Sequence, residues 1–466
     1  MGLLKKAWLW VDDRSGISEL FAPLLDHPVP EGSKWWYVFG SATMFCLMLQ
    51  VATGVALALL YQPSAETAYA SLEYITNQAF LGSWLRGLHY FGASGMILMM
   101  GIHMIRVYLM AAYKFPREMS WLTGVALLGL TVGMGFTGQL LRWDDTGVWS
   151  TVVAAEQMGR IPLIGTSIAQ FLLGGETIGG HTLSRFFAFH VFIIPALLFL
   201  ILGLHVYLVV RNGISEPPVQ GVPVDPKTYR KWYHDMLEKE GVPFFPDAAW
   251  RDVVFGVVLI LIISILAFIV GAPELIGPPD PTNIHVNPKP DWYLSWLFAL
   301  FALMPPAIES YVMFLGPLVV VFLLLALPFL SNSGERHPLR RPWAIAEVVF
   351  TVSIVGVLTM IGNEAPWSPN FDAKPLPATI VENASPQVLE GAKLFFDKGC
   401  LYCHQINQYG GQRGPNLTDV ENRLSTAALV IRIVNGGKDM PAFGGSLSES
   451  ELSSIVAFLE AKKSHE

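Results

Sequence analysis

The sequence predicts an all-α protein in which seven transmembrane helices are followed by a small soluble α-helical domain. Hydrophobic residues make up 52% of the 466 residues and charged residues only 14%, whereas soluble domains contain about 25% charged residues. The hydrophobicity ends near Asn363, beyond which the chain becomes polar and rich in proline. These observations exclude a disordered chain, a nucleic-acid-binding protein and a typical cytosolic enzyme.

Seven segments have the length of about 20 apolar residues that a helix needs to cross a bilayer. They are Trp35–Leu60, Trp84–Met110, Met119–Leu140, Ser184–Val210, Asp252–Gly271, Ser310–Leu330 and Trp343–Ile361. Two further apolar segments, Ile161–Gly174 and Pro290–Leu303, are too short to cross. We expect them to lie in the membrane interface, where a lipid-soluble ligand would be met.

Lysine and arginine are distributed unevenly between the two sets of loops. With the N-terminus inside, loops 1–34, 111–118, 211–251 and 331–342 carry 15 of them, whereas loops 61–83, 141–183 and 272–309 carry three. Cytoplasmic loops are enriched in these residues. The sequence therefore predicts a cytoplasmic N-terminus and a C-terminal domain on the outer, periplasmic side.

Four of the 11 histidines lie within predicted spans: His89 and His103 in the second, His190 and His205 in the fourth. Ionisable residues inside a membrane are costly and usually functional. At about 3.6 residues per turn, spacings of 14 and 15 residues keep both histidines of a span on roughly one face, about 21 Å apart. Two facing helices would offer two bis-imidazole sites. This favours two b-type haems over a zinc or copper site or histidines bonded within the bundle.

Arginines and glycines accompany these histidines. Arg86, Arg106 and Arg185 are the arginines of the two spans, and they are suited to pair with haem propionates, although snorkelling to a helix end is an alternative. The first span carries Gly40 and Gly54, and the third Gly124 and Gly138, each pair 14 residues apart. Glycines at these levels would admit a flat porphyrin, and ordinary close helix packing explains them equally well.

The soluble tail contains the run Cys400-Leu401-Tyr402-Cys403-His404, which has the C-x-x-C-H pattern of c-type haem attachment. Cys400 and Cys403 would form the thioethers and His404 would be the proximal ligand. Met440, within GGKDMPAFGG, is the expected sixth ligand. The third cysteine, Cys46, is expected to be a small core residue of the first span.

Together these residues resemble cytochrome b of the Rieske/cytochrome b quinol oxidoreductases, fused to a class I cytochrome c domain. The matching motifs are WLRGLHYFGAS, HMIR, TLSRFFAFH, KPDWY and HPLRRP. The 15-residue His190–His205 spacing and the KFPRE stretch are similar to the chloroplast and cyanobacterial branch. There the first four and the last three helices are separate chains, so the resemblance implies a four-plus-three bundle joined in one chain.

The resemblance implies that His89 and His190 hold an outer haem b, and His103 and His205 an inner one. Quinol would be oxidised on the outer side. One electron would pass to a Rieske iron–sulfur protein, and the other through both b haems to a second quinone. Asp291 stands at the family's glutamate position.

Asp291 would accept a quinol proton as a general base, with Tyr293 as its partner at the same site. Because Pro290-Asp291 opens an apolar run, a helix N-cap is a second role for this aspartate. The resemblance further implies another cytochrome c or a terminal oxidase as acceptor, contact with membrane lipid, a homodimeric complex and a bacterial plasma membrane. No nucleic-acid partner is expected.

The chain departs from the family pattern at several positions. Val38 stands where the chloroplast branch has a haem-binding cysteine, and Gln139 stands where the family has a tyrosine. The family's Pro-Trp is Arg142-Trp143 in this chain, and Asp144-Asp145 follow it. Position 291 is aspartate instead of glutamate. The first departure argues against a covalently bound extra haem. The shortened acid is similar to that of low-potential bacterial relatives, and this resemblance implies menaquinol as the substrate.

The predicted organisation has five parts. They are an N-terminal segment 1–34, a four-helix di-haem part 35–217, a three-helix part 218–362, a linker 363–385 and a cytochrome c domain 386–466. Two other functions stay open from the residues alone: a haem-bearing anchor that conducts electrons for another dehydrogenase, and a transporter with intramembrane histidines.

Overall fold

The computed structural model describes residues 2–280, 283, 286, 288–382, 384–437 and 440–461, and for Leu24, Pro306 and Ala307 the backbone alone. The last five residues of the predicted cytochrome c domain lie outside this description. The chain forms two compact units. One comprises Met1–Thr282 and Met304–Gly356, and the other Asn283–Leu303 and Val357–Glu466.

Seven helices of the described residues are long and apolar enough to cross a membrane, which confirms the predicted number. They are α1 (Phe39–Ala58), α2 (Gly82–Leu109), α3 (Glu118–Leu140), α4 (Gly180–Asn212), α5 (Phe244–Ile269), α6 (Ile308–Leu330) and α7 (Pro342–Glu364). Most of their surface is not buried within the chain. Apolar side chains that face outward are the expected pattern for helices surrounded by lipid.

Two of these helices are less regular than the sequence suggests. A turn of π-helix, Phe189–Ile193, interrupts α4 and contains His190. Helix α5 begins before the predicted span with a kinked turn at 244–248, where Phe245 has a non-helical φ of −105° and ψ of 128°. Wide turns of this kind occur often at functional sites.

The first unit is built around two closely packed helix pairs. Helix α1 packs against α2, α3 packs against α4, and α5 lies against both α1 and α2. Cys46, Met96 and Ile263 belong to one buried cluster formed by α1, α2 and α5. Cys46 is fully buried, which confirms the sequence prediction of a core residue.

Several shorter elements of the first unit were not predicted. They are the helices Leu3–Ser15, Ile17–Leu25, Ala68–Asn77, Asp145–Gly159 and Tyr229–Glu240, and an antiparallel strand pair, Pro28–Pro30 with Gly241–Pro243. The predicted interfacial segment Ile161–Gly174 contains a helix, Gly165–Leu173. This helix ends at Gly174, whose φ of 78° favours glycine.

In the second unit, the predicted interfacial segment Pro290–Leu303 forms the helix Trp292–Ala302. It packs closely against the end of α7, because a Cβ added at Gly362 would lie 2.2 Å from the carbonyl oxygen of Ser295. The rings of Phe298 and Trp367 also meet edge to face at 5.4 Å. This short helix is therefore fixed to the segment that leads to the C-terminal domain.

The C-terminal domain is a small helical fold with its own core. Its helices are Pro386–Asp397, Cys400–Cys403, Thr426–Asn435 and Glu449–Glu460, with a two-stranded turn of Gln405–Ile406 and Tyr409–Gly410. Ser448 and Glu451 form a reciprocal capping box at the start of the last helix. The rings of Phe395 and Phe458 meet at 5.5 Å between the first and last helices.

Candidate haem and quinol sites

The four intramembrane histidines form two pairs across the bundle. We call His89 and His190 the outer pair and His103 and His205 the inner pair, after the sides predicted from the loop charges. The ring centres of the outer pair are 6.2 Å apart. Two imidazoles bound to opposite sides of one metal ion, at about 2.0 Å with each ring centre about 1.1 Å further on, would be separated by about 6.2 Å. The outer pair therefore fits bis-imidazole ligation.

The inner pair lines a cavity of about 330 Å³ that also contacts Arg106, Tyr37 and Asp252. The lining is mostly apolar and includes a few polar and charged residues, as is typical of sites for cofactors and small molecules. Asp252 accepts a hydrogen bond of 2.7 Å from Ser41. The sequence did not indicate a role for Ser41 or Asp252, because a single polar residue near a helix end carries no distinctive signal.

Each histidine of the two pairs faces one of the four predicted glycines on a neighbouring helix. A Cβ built on the glycine would approach the imidazole Cε1 at 2.7 Å for Gly138 and His190, 3.1 Å for Gly40 and His103, 3.3 Å for Gly54 and His89, and 3.6 Å for Gly124 and His205. The glycines thus leave room for the imidazoles as well as for close helix contact. An added methyl group would crowd at least three of the four rings.

Threonines next to three of these glycines contact the imidazoles. The Oγ1–Nδ1 distances are 2.9 Å for Thr53 and His89, 2.8 Å for Thr123 and His205, and 3.2 Å for Thr137 and His190. Sequence analysis missed these residues, although the repeated Thr-Gly dipeptide was a usable signal. A hydrogen bond at Nδ1 leaves Nε2 as the nitrogen available to a metal.

The three predicted propionate partners lie in different surroundings. Arg106 stacks over the Tyr37 ring at 3.7 Å, and its Nε and Nη2 atoms have no hydrogen-bond partner among the described residues. A buried cation with unused donors beside the inner pair fits an anionic group of a bound cofactor. Arg86 is buried and donates to the Pro273 carbonyl at 2.5 Å.

Arg185 lies on an exposed part of α4 and donates to the carbonyl oxygen of Phe171 at 2.9 Å. Arg185 therefore provides a hydrogen-bond donor at the C-terminal end of the helix Gly165–Leu173, where the last carbonyl groups have no partner within that helix. The sequence placed Arg185 five residues from His190 but gave no information on this neighbouring helix.

The departures at 142–145 form a cluster that holds the loop after α5. Arg142 pairs with the fully buried Asp144 at 2.5 Å and donates to the Glu274 carbonyl at 2.8 Å. Asp145 accepts a hydrogen bond of 2.8 Å from the backbone N–H of Asp280. Arg142, which stands in place of the family's proline, and the two aspartates after Trp143 thus make specific contacts here.

The C-x-x-C-H run forms the short helix Cys400–Cys403, and His404 follows it as the C-cap residue. The Nδ1 of His404 donates to the carbonyl oxygen of Pro415 at 2.9 Å, and Gly414 lies against the same ring. Burial lowers the pKa of His404, which keeps the imidazole neutral and able to bind iron. Burial raises the pKa of the Cys400 thiol to about 11. Met440 packs against the core of this domain.

Asp291 stands at the N-cap position of the helix Trp292–Ala302, but its side chain does not cap the helix. The carboxylate instead accepts a hydrogen bond of 3.0 Å from the Tyr293 hydroxyl. The structure thus brings together the two residues predicted for quinol oxidation. An ionised carboxylate in this arrangement is a competent proton acceptor.

Comparisons with known proteins agree with this geometry. Residues 24–213 match the family described as "Cytochrome b/b6/petB", and residues 278–379 match "Cytochrome b(C-terminal)/b6/petD". The menaquinol:cytochrome c reductase cytochrome b subunit of Geobacillus thermodenitrificans is 40% identical over 223 residues, which are 46% of this chain and all of the relative. The chain belongs to the cytochrome b family.

The C-terminal domain matches a second family, and two further relatives cover about three quarters of the chain. Residues 386–459 match the family "Cytochrome C oxidase, cbb3-type, subunit III". A protein named cytochrome b/c1 from Bradyrhizobium diazoefficiens is 32% identical over 364 residues, which are 77% of this chain and 50% of that protein. A solved structure titled "Hyperthermophilic respiratory Complex III" aligns with a TM-score of 0.64 and 26% identity, covering 76% of this chain and 90% of that one.

This cytochrome b with its C-terminal cytochrome c domain is a multi-pass membrane protein of electron transport. Its two parts carry haem b and haem c, respectively. Family membership confirms the predicted resemblance and fold, and it rules against the alternative of a transporter.

Proposed function

We propose that this chain is the cytochrome b/c subunit of a quinol:electron-acceptor oxidoreductase in a bacterial plasma membrane. It oxidises quinol on the outer side and divides the two electrons between two routes. The observation that carries this proposal is the pair of imidazole sites at two levels of one bundle, each imidazole facing a glycine. The name of the Geobacillus relative supports menaquinol as the substrate.

In this proposal the outer and inner pairs each hold one non-covalent haem b. Haem bound at these sites supplies reversible one-electron transfer. The imidazoles provide Nε2 as the ligand atom, and Arg86, Arg106 and Arg185 are the propionate partners that the sequence offers. Arg106 has the strongest physical support, because its Nε and Nη2 have no other partner among the described residues.

The C-terminal domain would hold one covalent haem c through Cys400 and Cys403, with His404 and Met440 as ligands. The Pro415 carbonyl fixes the proton on Nδ1 of His404, so that Nε2 is the nitrogen that would bind haem iron. A methionine opposite histidine raises the potential of such a haem. This suits a haem that receives electrons from quinol and passes them to another cytochrome c or to a terminal oxidase.

At the outer side, Asp291 would accept a proton from quinol while the Tyr293 hydroxyl orients its carboxylate. One electron then leaves to a Rieske iron–sulfur partner and the other to the outer-pair site. The partner is required because the sequence has only three cysteines, of which two belong to the haem c motif. Proton release on the outer side would contribute to the proton gradient.

Orientation and assembly complete the proposal. The excess of lysine and arginine supports a cytoplasmic N-terminus and a periplasmic cytochrome c domain. A second quinone would receive electrons from the inner-pair site. Membrane lipid surrounds the apolar helix faces, and a homodimeric complex is the assembly that the family implies.

The test compares Asp291→Asn with Asp372→Asn, a matched change of an exposed aspartate in the linker. Detergent-purified complex is assayed for menaquinol-dependent reduction of its own haem c. Loss of a general base lowers rates by about 100-fold or more. We expect that loss in the first variant only, with unchanged haem content.

Two results would contradict the proposal. Full turnover of Asp291→Asn would refute the role of Asp291 as the proton acceptor in quinol oxidation. A haem b to haem c ratio of one to one by pyridine haemochrome would refute the assignment of two haem b sites. Mass spectrometry of the native complex tests separately for the Rieske partner.

A further inference from the structure

The Thr-His contacts differ between the outer and inner pairs. In the outer pair, both His89 and His190 have a threonine hydroxyl at Nδ1, and the Met134 carbonyl oxygen also lies 3.1 Å from Nδ1 of His190. In the inner pair, only His205 has a threonine contact, and its imidazole also has a backbone hydrogen bond to Ser120. Within the part of the chain that the structure describes, no hydrogen bond reaches the imidazole of His103. The position before its glycine is Phe39 instead of threonine.

The direction of these hydrogen bonds follows from the helix geometry. Each threonine hydroxyl donates its single proton to the carbonyl four residues earlier in its own helix: Thr53 to Leu49 at 2.7 Å, Thr123 to Met119 at 3.0 Å, and Thr137 to Gly133 at 2.8 Å. With that proton engaged, the oxygen has only lone pairs left for the imidazole. The imidazole must therefore donate its Nδ1–H, and Nε2 remains unprotonated for the metal.

We propose that Thr53, Thr123 and Thr137 are positioning residues, each of which lowers the reduction potential of the haem held by the imidazole that it contacts. This inference rests on the proposed haem ligation. An acceptor at Nδ1–H gives the imidazole more anionic character and makes Nε2 a stronger donor. A stronger donor stabilises the oxidised iron and lowers its potential.

The number of threonine acceptors differs between the two pairs. The outer pair has threonine acceptors on both ligands, whereas the inner pair has one.

The test replaces threonine by isosteric valine and measures midpoint potentials of the haem b α-bands in the purified complex. Thr53→Val and Thr137→Val are each expected to raise the midpoint potential of the outer-pair haem. Thr123→Val is expected to raise the midpoint potential of the inner-pair haem. A net hydrogen bond of about 0.5–1.5 kcal/mol changes the oxidised-to-reduced ratio by roughly two- to tenfold, and tenfold corresponds to about 59 mV for one electron. Thr151→Val is the matched control, because Thr151 is buried with the same backbone bond and contacts no imidazole.

A second comparison adds an acceptor where the chain has none. Phe39→Thr and Phe39→Val remove the same ring and differ only in the hydroxyl group. Phe39→Thr is expected to lower the midpoint that Thr123→Val raises, relative to Phe39→Val. This pair separates the hydrogen bond from any effect of lost packing.

Unchanged midpoints in all three threonine-to-valine variants, relative to the Thr151→Val control, would overturn the inference. If Thr53→Val loses its haem, the inference requires that Thr53→Ser keeps the haem and the wild-type midpoint potential. Loss of haem in both Thr53 variants would also overturn the inference. These readouts do not depend on turnover. A wild-type protein without a b-type spectrum would instead refute the proposed function.

Discussion

Alanine at Gly138 is expected to disturb the outer haem site, whereas alanine at Gly124 is expected to leave the inner site nearly intact. The Cβ of an alanine at 138 would lie 2.7 Å from Cε1 of His190, and ordinary contact begins at 3.4 Å. At 124 the corresponding distance to His205 is 3.6 Å, which is ordinary contact. The same substitution on one helix therefore meets two different environments.

The expected loss of haem affinity can be estimated from the steric overlap between the added methyl group and the His190 ring. Forcing an extra methyl group into a packed site costs about 1–3 kcal/mol. The strain at Gly138 can be relieved only if the His190 ring or helix α3 moves, and either movement disturbs the geometry of the imidazole pair. If the whole strain opposes haem binding, affinity falls by roughly 5- to 150-fold. Gly40 and Gly54, at 3.1 and 3.3 Å, should give intermediate effects.

The assay is haem b content per polypeptide by pyridine haemochrome, together with the two midpoint potentials. Haem c content serves as the internal reference, because the C-terminal domain folds around a separate core. We expect haem b loss in the order Gly138, Gly40, Gly54, Gly124. Equal losses at Gly124 and Gly138, or an inverted order, would refute the reasoning that these glycines are required by contact with imidazoles.

Two further predictions concern the C-terminal domain. Gly391→Ala would place a Cβ 2.0 Å from the Ser454 carbonyl oxygen, so we expect a loss of about 3 kcal/mol in domain stability, seen as faster proteolysis and less covalent haem c. The Ser448 backbone N–H and then Lys398 lower the pKa of Glu451 to about 2, so its stabilising effect is complete above about pH 4.5 and is lost as the pH falls towards 2. In thermal melts followed by haem c absorbance, the wild type should exceed Glu451→Gln near pH 7 and converge with it near pH 2. A constant difference across that range would contradict this assignment.

The seven helices could be predicted from sequence because the bilayer imposes a length and a polarity on each segment separately. The two depths at which the histidines lie along their helices could also be predicted, since the rise along a helix depends only on the number of residues. The C-x-x-C-H run is equally local. These features need no knowledge of which helix is the neighbour of which.

The unequal spacing of the two histidine pairs along their helices has a structural explanation. Fifteen residues separate His190 from His205, one more than separate His89 from His103. The π-helical turn Phe189–Ile193 takes up an additional residue at His190. A regular helix would have rotated His190 relative to His205, and no pattern in the sequence marks this wide turn.

The sequence by itself determined the number of spans, the two histidine levels and the haem c motif, because each depends on spacing within one segment. Only the tertiary structure decided that Gly138 faces His190, that three threonines accept from imidazoles, and that Arg185 binds the Phe171 carbonyl. These contacts join different helices. They depend on helix rotation and neighbour choice, which packing of the whole chain sets.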